Sequence, residues 1–437
     1  MAMLFSLIAL AVADLPRQPL QFGPPLQVDL GHSDSEIWVK LAPGISRLPS
    51  GSLKVAPLFA GQHPELSRWW RVQTPDGAAL AIAESWLGAI WVSHVELAQL
   101  PVAPPNDLSP TTPDLSPEQT YLGTGPDGFG IAEAALWPGG GGENVALADL
   151  EYDWLASHED LSHLGDVRTW GLPTDRFAYH GTGVLGITSG GDNGYGVTGM
   201  VPDAEVVVIH PTTPEGVYNV GAAIEASISL LEPGDVLLIE QQSYIFDSYA
   251  PVEISGAVSD AIQVAVAAGI VVVEPAGNGA QDLDAAEWNG WFDRSQRDSG
   301  AIMVGGGMPP PGTSFNPARS WYPSGSCYGS RIDLQGWYAG IVSTASGNLN
   351  DDLFNVPGDE RQSYTAYFGG TSGASPQVAS LAAQFQSIAI ALGRGPWEPA
   401  ALRQLMVQTG TPQTKPEVGL IGPQPDLRGM LRMAGLR

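Results

Sequence analysis

The sequence predicts an α/β protein, a doubly wound parallel sheet with helices on both faces, preceded by a small α+β N-terminal segment. Two observations carry this. The short runs Val145–Ala148, Glu205–Ile209, Val236–Ile239, Ile270–Val273 and Ala301–Val304 are nearly continuous in apolar residues and mostly rich in β-branched ones. Strands buried on both faces look like this. Helix-like segments, Val220–Leu231 and Val252–Ala268, lie between them. Alternating strand and helix implies parallel strands joined by right-handed crossovers. In open sheets of this kind, chemistry gathers beyond the carboxyl ends of the strands.

The 437 residues suffice for one large domain and a smaller one, and 43% hydrophobic with 15% charged residues marks a globular chain. A formal charge of −27 argues against nucleic-acid binding, which needs a basic face. No basic cluster is present to hold an anionic membrane. A single cysteine, Cys327, excludes an intramolecular disulfide framework and reads as a small packed side chain.

Four stretches separate along the chain. Met3–Ala13 is too short to span a bilayer, but it fits the apolar core of an export signal, with Ala11-Val12-Ala13 as the small-x-small cleavage form. No Lys or Arg precedes that core, and a buried first strand or helix is the competing reading. Asp14 follows rather than Cys, so no lipid anchor is expected. Residues 14–100 hold strand-like runs at Glu36–Leu41, Trp69–Gln73 and Ala89–Leu97, with a helix expected at Ala79–Trp86. Residues 101–120 are rich in Pro, Asp, Ser and Thr, and are expected to be an extended, protease-accessible linker. The αβ pattern fills residues 121–437.

Four local features sit at strand ends or helix starts. Asn144–Asp149 is a buried strand ending in a carboxylate, a position where Asp is commonly a cap or turn residue. His180-Gly181-Thr182-Gly183-Val184-Leu185-Gly186 opens a helix with a histidine. Val271–Gly279 runs a strand into a turn that carries Asn278 among glycines. Gly370-Thr371-Ser372-Gly373-Ala374-Ser375-Pro376 places a serine where a helix begins, with Pro376 in the first turn, where a missing N–H does no harm. Val378, Leu381, Phe385, Ile388 and Leu392 then recur at steps of three and four, one buried helical face.

Together these motifs resemble the subtilisin-like serine proteases, the subtilases. The order Asp, His, Ser is that of the subtilisin triad. The resemblance implies a serine endopeptidase acting on protein or peptide substrates, with Asp149 orienting His180, His180 taking the Ser372 proton, and Asn278 in the oxyanion hole. It also implies a secreted monomer, made as a zymogen whose inhibitory pro-region is residues 14–100. A permanent substrate-recruiting domain is the other reading of that segment.

The pattern departs from the family in three places. Leu150-Glu151 stand where Ser or Thr and then Gly usually follow the catalytic Asp, which leaves Asp153 as a competitor to Asp149. Gly373 stands in place of the methionine after the serine, and Gly183 in place of a second histidine. A catalytically inactive, protein-binding relative is the alternative these departures raise.

By the same resemblance, Glu240-Gln241-Gln242 and Glu274 with Gly277 would wall the first specificity pocket. A carboxylate turned into that pocket would favour Lys or Arg before the cut; one turned outward would not. No cofactor is expected for catalysis. The loop Gly190–Gly196 resembles a calcium-binding loop of the family, with Asn193 as a ligand and His158 or Asp160 near the distant carboxylate. A loop without metal reads equally well.

Overall fold

The computed structural model describes residues 32–49, 51–61, 63–100, 111–134, 136–165 and 167–436. The export signal expected at residues 1–13 lies outside them. The chain divides into two compact units, one up to Ser109 and one from Pro110 onward.

The first unit is a four-stranded antiparallel sheet in the order Lys54–Pro57, Trp69–Gln73, His32–Leu41, Val92–Gln99. Ile37, Val39 and Leu41 alternate inward, as strand pleating requires, and meet Ala79, Ile82, Ala83 and Trp86 of the Ala79–Trp86 helix. The small α+β unit expected there is present, with the expected helix.

In the second unit seven parallel strands run in the order Leu334–Trp337, Ile302–Gly307, Val271–Pro275, Val236–Ile239, Ala146–Leu150, Glu205–Ile209, Arg168–Trp170. The doubly wound architecture follows from the pleat. Val271 and Val273 enter one core while Val272 enters the other, and Leu147 likewise opposes Ala146 and Ala148. The first core packs the sheet against helices Ala178–Ser189 and Thr371–Ala391. The second packs it against Val220–Ile228 and Gly256–Ala267. The two edge strands, an antiparallel hairpin at Gln242–Pro251 and a three-stranded sheet at residues 341–368 were not foreseen.

One expectation needs correction. Residues 111–118 are not an extended linker: Leu115 is buried against Val197, Val342 and Tyr364, and its N–H donates to Gly196 O at 2.7 Å. One apolar side chain in a polar stretch is enough to pin it. The helix over Pro399–Thr409 is followed by a last one, Leu427–Met433, which puts Leu427, Met430 and Leu431 into the core. Among the described residues no helix is long and apolar enough to cross a membrane.

Candidate active site

The His180 helix and the Ser372 helix both lie over the face of the sheet lined by Val145, Leu147 and Leu238. Period-two alternation carries that face onward to Asp149 and Glu151 on one strand and to Glu240 beside it. Glu240 follows the strand Val236–Ile239, and its N–H donates to Leu150 O at 3.1 Å.

His180 takes its partner from this row. Its Nδ1 is hydrogen-bonded to Glu151 Oε2. The expected partner, Asp149, is not the one. Both Asp149 oxygens are buried without a hydrogen bond. The reason is depth: Asp149 still pairs within the sheet, opposite Val208 and Leu238, whereas Glu151 stands one pleat further, past the strand end. The approach is close because position 181 is glycine, where a Cβ would lie 2.5 Å from Glu151 Cγ. Asp153 is no competitor, since its Oδ1 accepts from its neighbour Trp154 N–H at 2.8 Å.

The three acidic and basic groups around this contact behave differently. Burial, then the neighbouring Glu151 and Glu240, hold Asp149 well above the ordinary carboxylate range. Burial pushes Glu240 up to about 8, against the pull of His180 and of hydrogen bonding from Ser375 and Ser372. Burial alone would pull His180 down, but Glu151, helped by Glu240, overrides it and pushes the ring up to about 9.

These shifts fix the pH dependence of stability. The folded chain holds a proton on Glu240 between pH 4.5 and about 8, and on His180 between 6.5 and about 9, where the unfolded chain has released it. Stability contributed by these groups is therefore present at low pH and lost as pH rises through those windows. In a Ser372→Ala background, which prevents autolysis, the urea midpoint is expected to fall between about pH 5 and about pH 9. Glu240→Gln should flatten the lower half of that fall. A midpoint that rises over the same range would contradict this assignment.

Asn278 stands at the head of the turn after the strand Val271–Pro275, with Gly277 at φ +93° before it. Its Oδ1 accepts from Thr371 N at 2.8 Å, which leaves the Nδ2 end of the amide as the donor. Gln242 Oε1 accepts from Asn278 N at 3.0 Å and lies 3.3 Å from Nδ2. Ser372 follows Thr371 in the first turn of its helix, where backbone N–H groups lack intrahelical partners. Serine, amide and histidine thus converge at one end of the sheet.

The two small-residue departures share one cause. A Cβ at Gly183 would lie 2.4 Å from Phe368 Cε2, and one at Gly373 would lie 2.5 Å from Ile341 Cδ1, with Phe368 next. Phe368 and Ile341 fill the space larger side chains would need, and the Phe368 ring packs edge-on against His180 with centroids 5.9 Å apart. Nothing in the short motifs pointed to Phe368, which lies in a strand outside the main sheet.

The expected specificity wall is also different. Glu274 is fully buried, 3.8 Å from Arg331, whose guanidinium donates to Glu253 at 2.7 Å and to Asp333 at 3.1 Å. Burial and Glu253 push Glu274 well up, so it is an interior acid beside an ion cluster rather than a pocket charge. Glu240 lies beneath the serine helix, its Oε1 2.6 Å from Ser375 Oγ. Gln241 is buried and accepts from the Tyr218 hydroxyl at 2.9 Å. Gln242 touches the site through Asn278.

Comparison with known proteins agrees with this fold. The family model described as the subtilase family matches residues 140–421. The chain belongs to the subtilase family. It is thereby a hydrolase of the subtilisin-like serine protease type. Fervidolysin from Fervidobacterium pennivorans, described as a keratinolytic enzyme related to subtilisin, is similar over 96% of this subtilase at 17% identity and TM-score 0.51. The match spans 64% of the fervidolysin chain. A protease from Pseudoalteromonas arctica is similar at 19% identity and TM-score 0.51, over 74% of this chain and 100% of that one. At such identities the likeness is one of fold. No curated protein sequence matches.

Proposed function

We propose that this subtilase is a serine endopeptidase in which Ser372 attacks the peptide carbonyl, His180 takes its proton, and Glu151 orients and charge-stabilises His180. The observation that carries the reading is the Glu151–His180 hydrogen bond at the head of the histidine helix, beside the helix that holds Ser372 in its first turn. A carboxylate on Nδ1 leaves Nε2 as the proton acceptor. Asn278 Nδ2 and the Ser372 N–H would stabilise the developing oxyanion, since Thr371 already holds the Asn278 oxygen. The test is hydrolysis of a reduced, unfolded protein substrate with a fluorophosphonate added to one arm. Cleavage abolished by the reagent supports the reading; cleavage that persists overturns it.

A calcium ion beside Asp160 fits the residues present. Asp160 is fully buried, and Gly196 passes so close that a Cβ there would lie 2.1 Å from Asp160 Oδ2, so the loop forms a cradle around the carboxylate. Among the described residues no group of three or more His, Cys, Asp or Glu side chains could hold a metal ion. The ligands would therefore be Asp160 and loop carbonyls, a hard oxygen set suited to calcium. Asn193 is not poised as a ligand: its Nδ2 donates to Asp160 at 3.0 Å and its Oδ1 accepts from Tyr195 N. His158 is turned to Ser363 O at 2.9 Å. A chelator is expected to lower the melting temperature, with calcium restoring it; an unchanged value would remove the ion from the account.

Residues 14–100 are proposed as a pro-region, supported by the separate compact unit to which residues 32–100 belong and by the family's need to keep an exported protease inactive during production. Mass spectrometry should find the mature N-terminus between about residues 98 and 110 in the wild type, with Ser372→Ala left uncut. An active enzyme that keeps residues 14–100 would contradict this.

A further inference from the structure

The buried acid Glu240 is unexplained by the roles assigned so far. It is 4% exposed and stands among the acids, the histidine and the serine of the site. From the neighbouring strand it meets Asp149 and Glu151, from the histidine helix His180, and from the serine helix Ser372 and Ser375. Among its charged neighbours, His180 pulls it down and Glu151 pushes it up.

Hydrogen-bond arithmetic says more. Ser375 Oγ lies 2.6 Å from Glu240 Oε1 and 2.7 Å from Thr371 O. A serine hydroxyl has one proton, so it cannot donate to a carboxylate and to a carbonyl together. A proton on Glu240 satisfies both contacts. The Glu240 O–H then donates to Ser375 Oγ, and Ser375 O–H donates to Thr371 O. The chain of donors ends on the residue whose own N–H holds Asn278 and whose successor is Ser372.

We propose that Glu240 is a positioning residue that works as a neutral acid, tying the first turn of the serine helix to the end of the central sheet through Ser375, and that its ionisation disables the site. This rests on the serine endopeptidase reading above. Loss of the proton breaks the donor chain at Ser375. It also sets an uncompensated negative charge beside the place where the carbonyl oxygen becomes an anion, and it strengthens the grip of the carboxylates on the His180 proton. All three effects slow attack by Ser372, so Glu240 supplies an alkaline limb to the rate profile. The upward shift of Glu240 by burial places that limb within reach of ordinary buffers.

The experiment is the pH profile of kcat/KM for wild type, Glu240→Gln, Glu240→Ala and Ser375→Ala, each checked for its melting temperature and for fluorophosphonate labelling. A glutamine amide donates as the protonated acid does and cannot ionise. Glu240→Gln is therefore expected to keep kcat near its optimum within about threefold and to lose the alkaline limb, while Glu240→Ala and Ser375→Ala each lower kcat about tenfold or more with little change in KM. A merely structural Glu240 would leave the limb in place in the glutamine variant, and that result overturns the proposal. If Glu240→Gln does not fold, Ser375→Ala decides: wild-type kcat in that variant overturns it as well. A wild type that neither hydrolyses nor labels overturns the endopeptidase reading itself, a failure distinct from an active wild type whose alkaline limb survives Glu240→Gln.

Discussion

Ser372→Ala is expected to fold normally and to lose about 10⁶ in kcat, the size of loss found when a subtilisin loses its serine. The change removes one oxygen at the start of a helix whose buried face, from Val378 to Ile388, is untouched. Stability should therefore stay within about 0.5–1 kcal/mol of wild type. What disappears is the covalent route: no acyl-enzyme forms, and His180 with Glu151 has no nucleophile to activate. The residual rate, about 10³–10⁴ above that in water, would come from the Asn278 amide and from substrate binding. A Ser372→Ala enzyme that keeps more than about a hundredth of the wild-type rate would place the nucleophile elsewhere.

Glu151→Gln is expected to lower kcat by about 10⁴ with little change in KM, whereas Asp149→Asn should stay within about tenfold of wild type. The two substitutions are nearly isosteric and sit two residues apart on one face of the sheet, so their contrast isolates the contact to Nδ1. Glutamine at 151 removes the negative charge that stabilises the imidazolium, and its amide can hold the wrong tautomer. Asparagine at 149 replaces an acid that burial already disfavours in its charged form. The Glu151 substitution also carries a directional pH signature. With Glu151 neutral, burial dominates and the His180 ring titrates at lower pH, so the acid limb of kcat/KM should move down even as the maximum falls.

Much of this was legible in the sequence because short, specific motifs carried it. The buried strands announced themselves through β-branched runs, the N-terminal helix at Ala79–Trp86 lies where it was expected, and the turn of Asn278 is held by Thr371, the residue before Ser372. The acid was missed for a definite reason. An apolar strand ending in Asp149 looks like the catalytic strand of the family, and pleating puts residues 149 and 151 on the same face, so face alone cannot separate them. What separates them is how far each projects past the last paired residue, which depends on the neighbouring strands. The signal available was the i, i+2 spacing together with Gly181, the glycine that lets Glu151 close on the histidine.

The compensation by Phe368 was out of reach for another reason. Gly183 and Gly373 are far apart in sequence, and the ring that fills the space beside both comes from a strand outside the main sheet. Glu274 and Glu240 misled in a similar way. A carboxylate next to a recognised motif reads as a pocket charge, but its fate is set by Arg331 in one case and by Ser375 in the other. Both partners are distant in sequence, so neither motif contains the residue that decides its own acid.

The most direct test of the central claim, that Ser372 is activated by His180 under the direction of Glu151, is the rate of fluorophosphonate labelling with the modified residue mapped by mass spectrometry. Wild type and Asp149→Asn are expected to label on Ser372 at comparable rates, Glu151→Gln at least about a thousandfold more slowly, and Ser372→Ala not at all. Rapid labelling of Glu151→Gln together with slow labelling of Asp149→Asn would contradict it, returning the orienting role to Asp149.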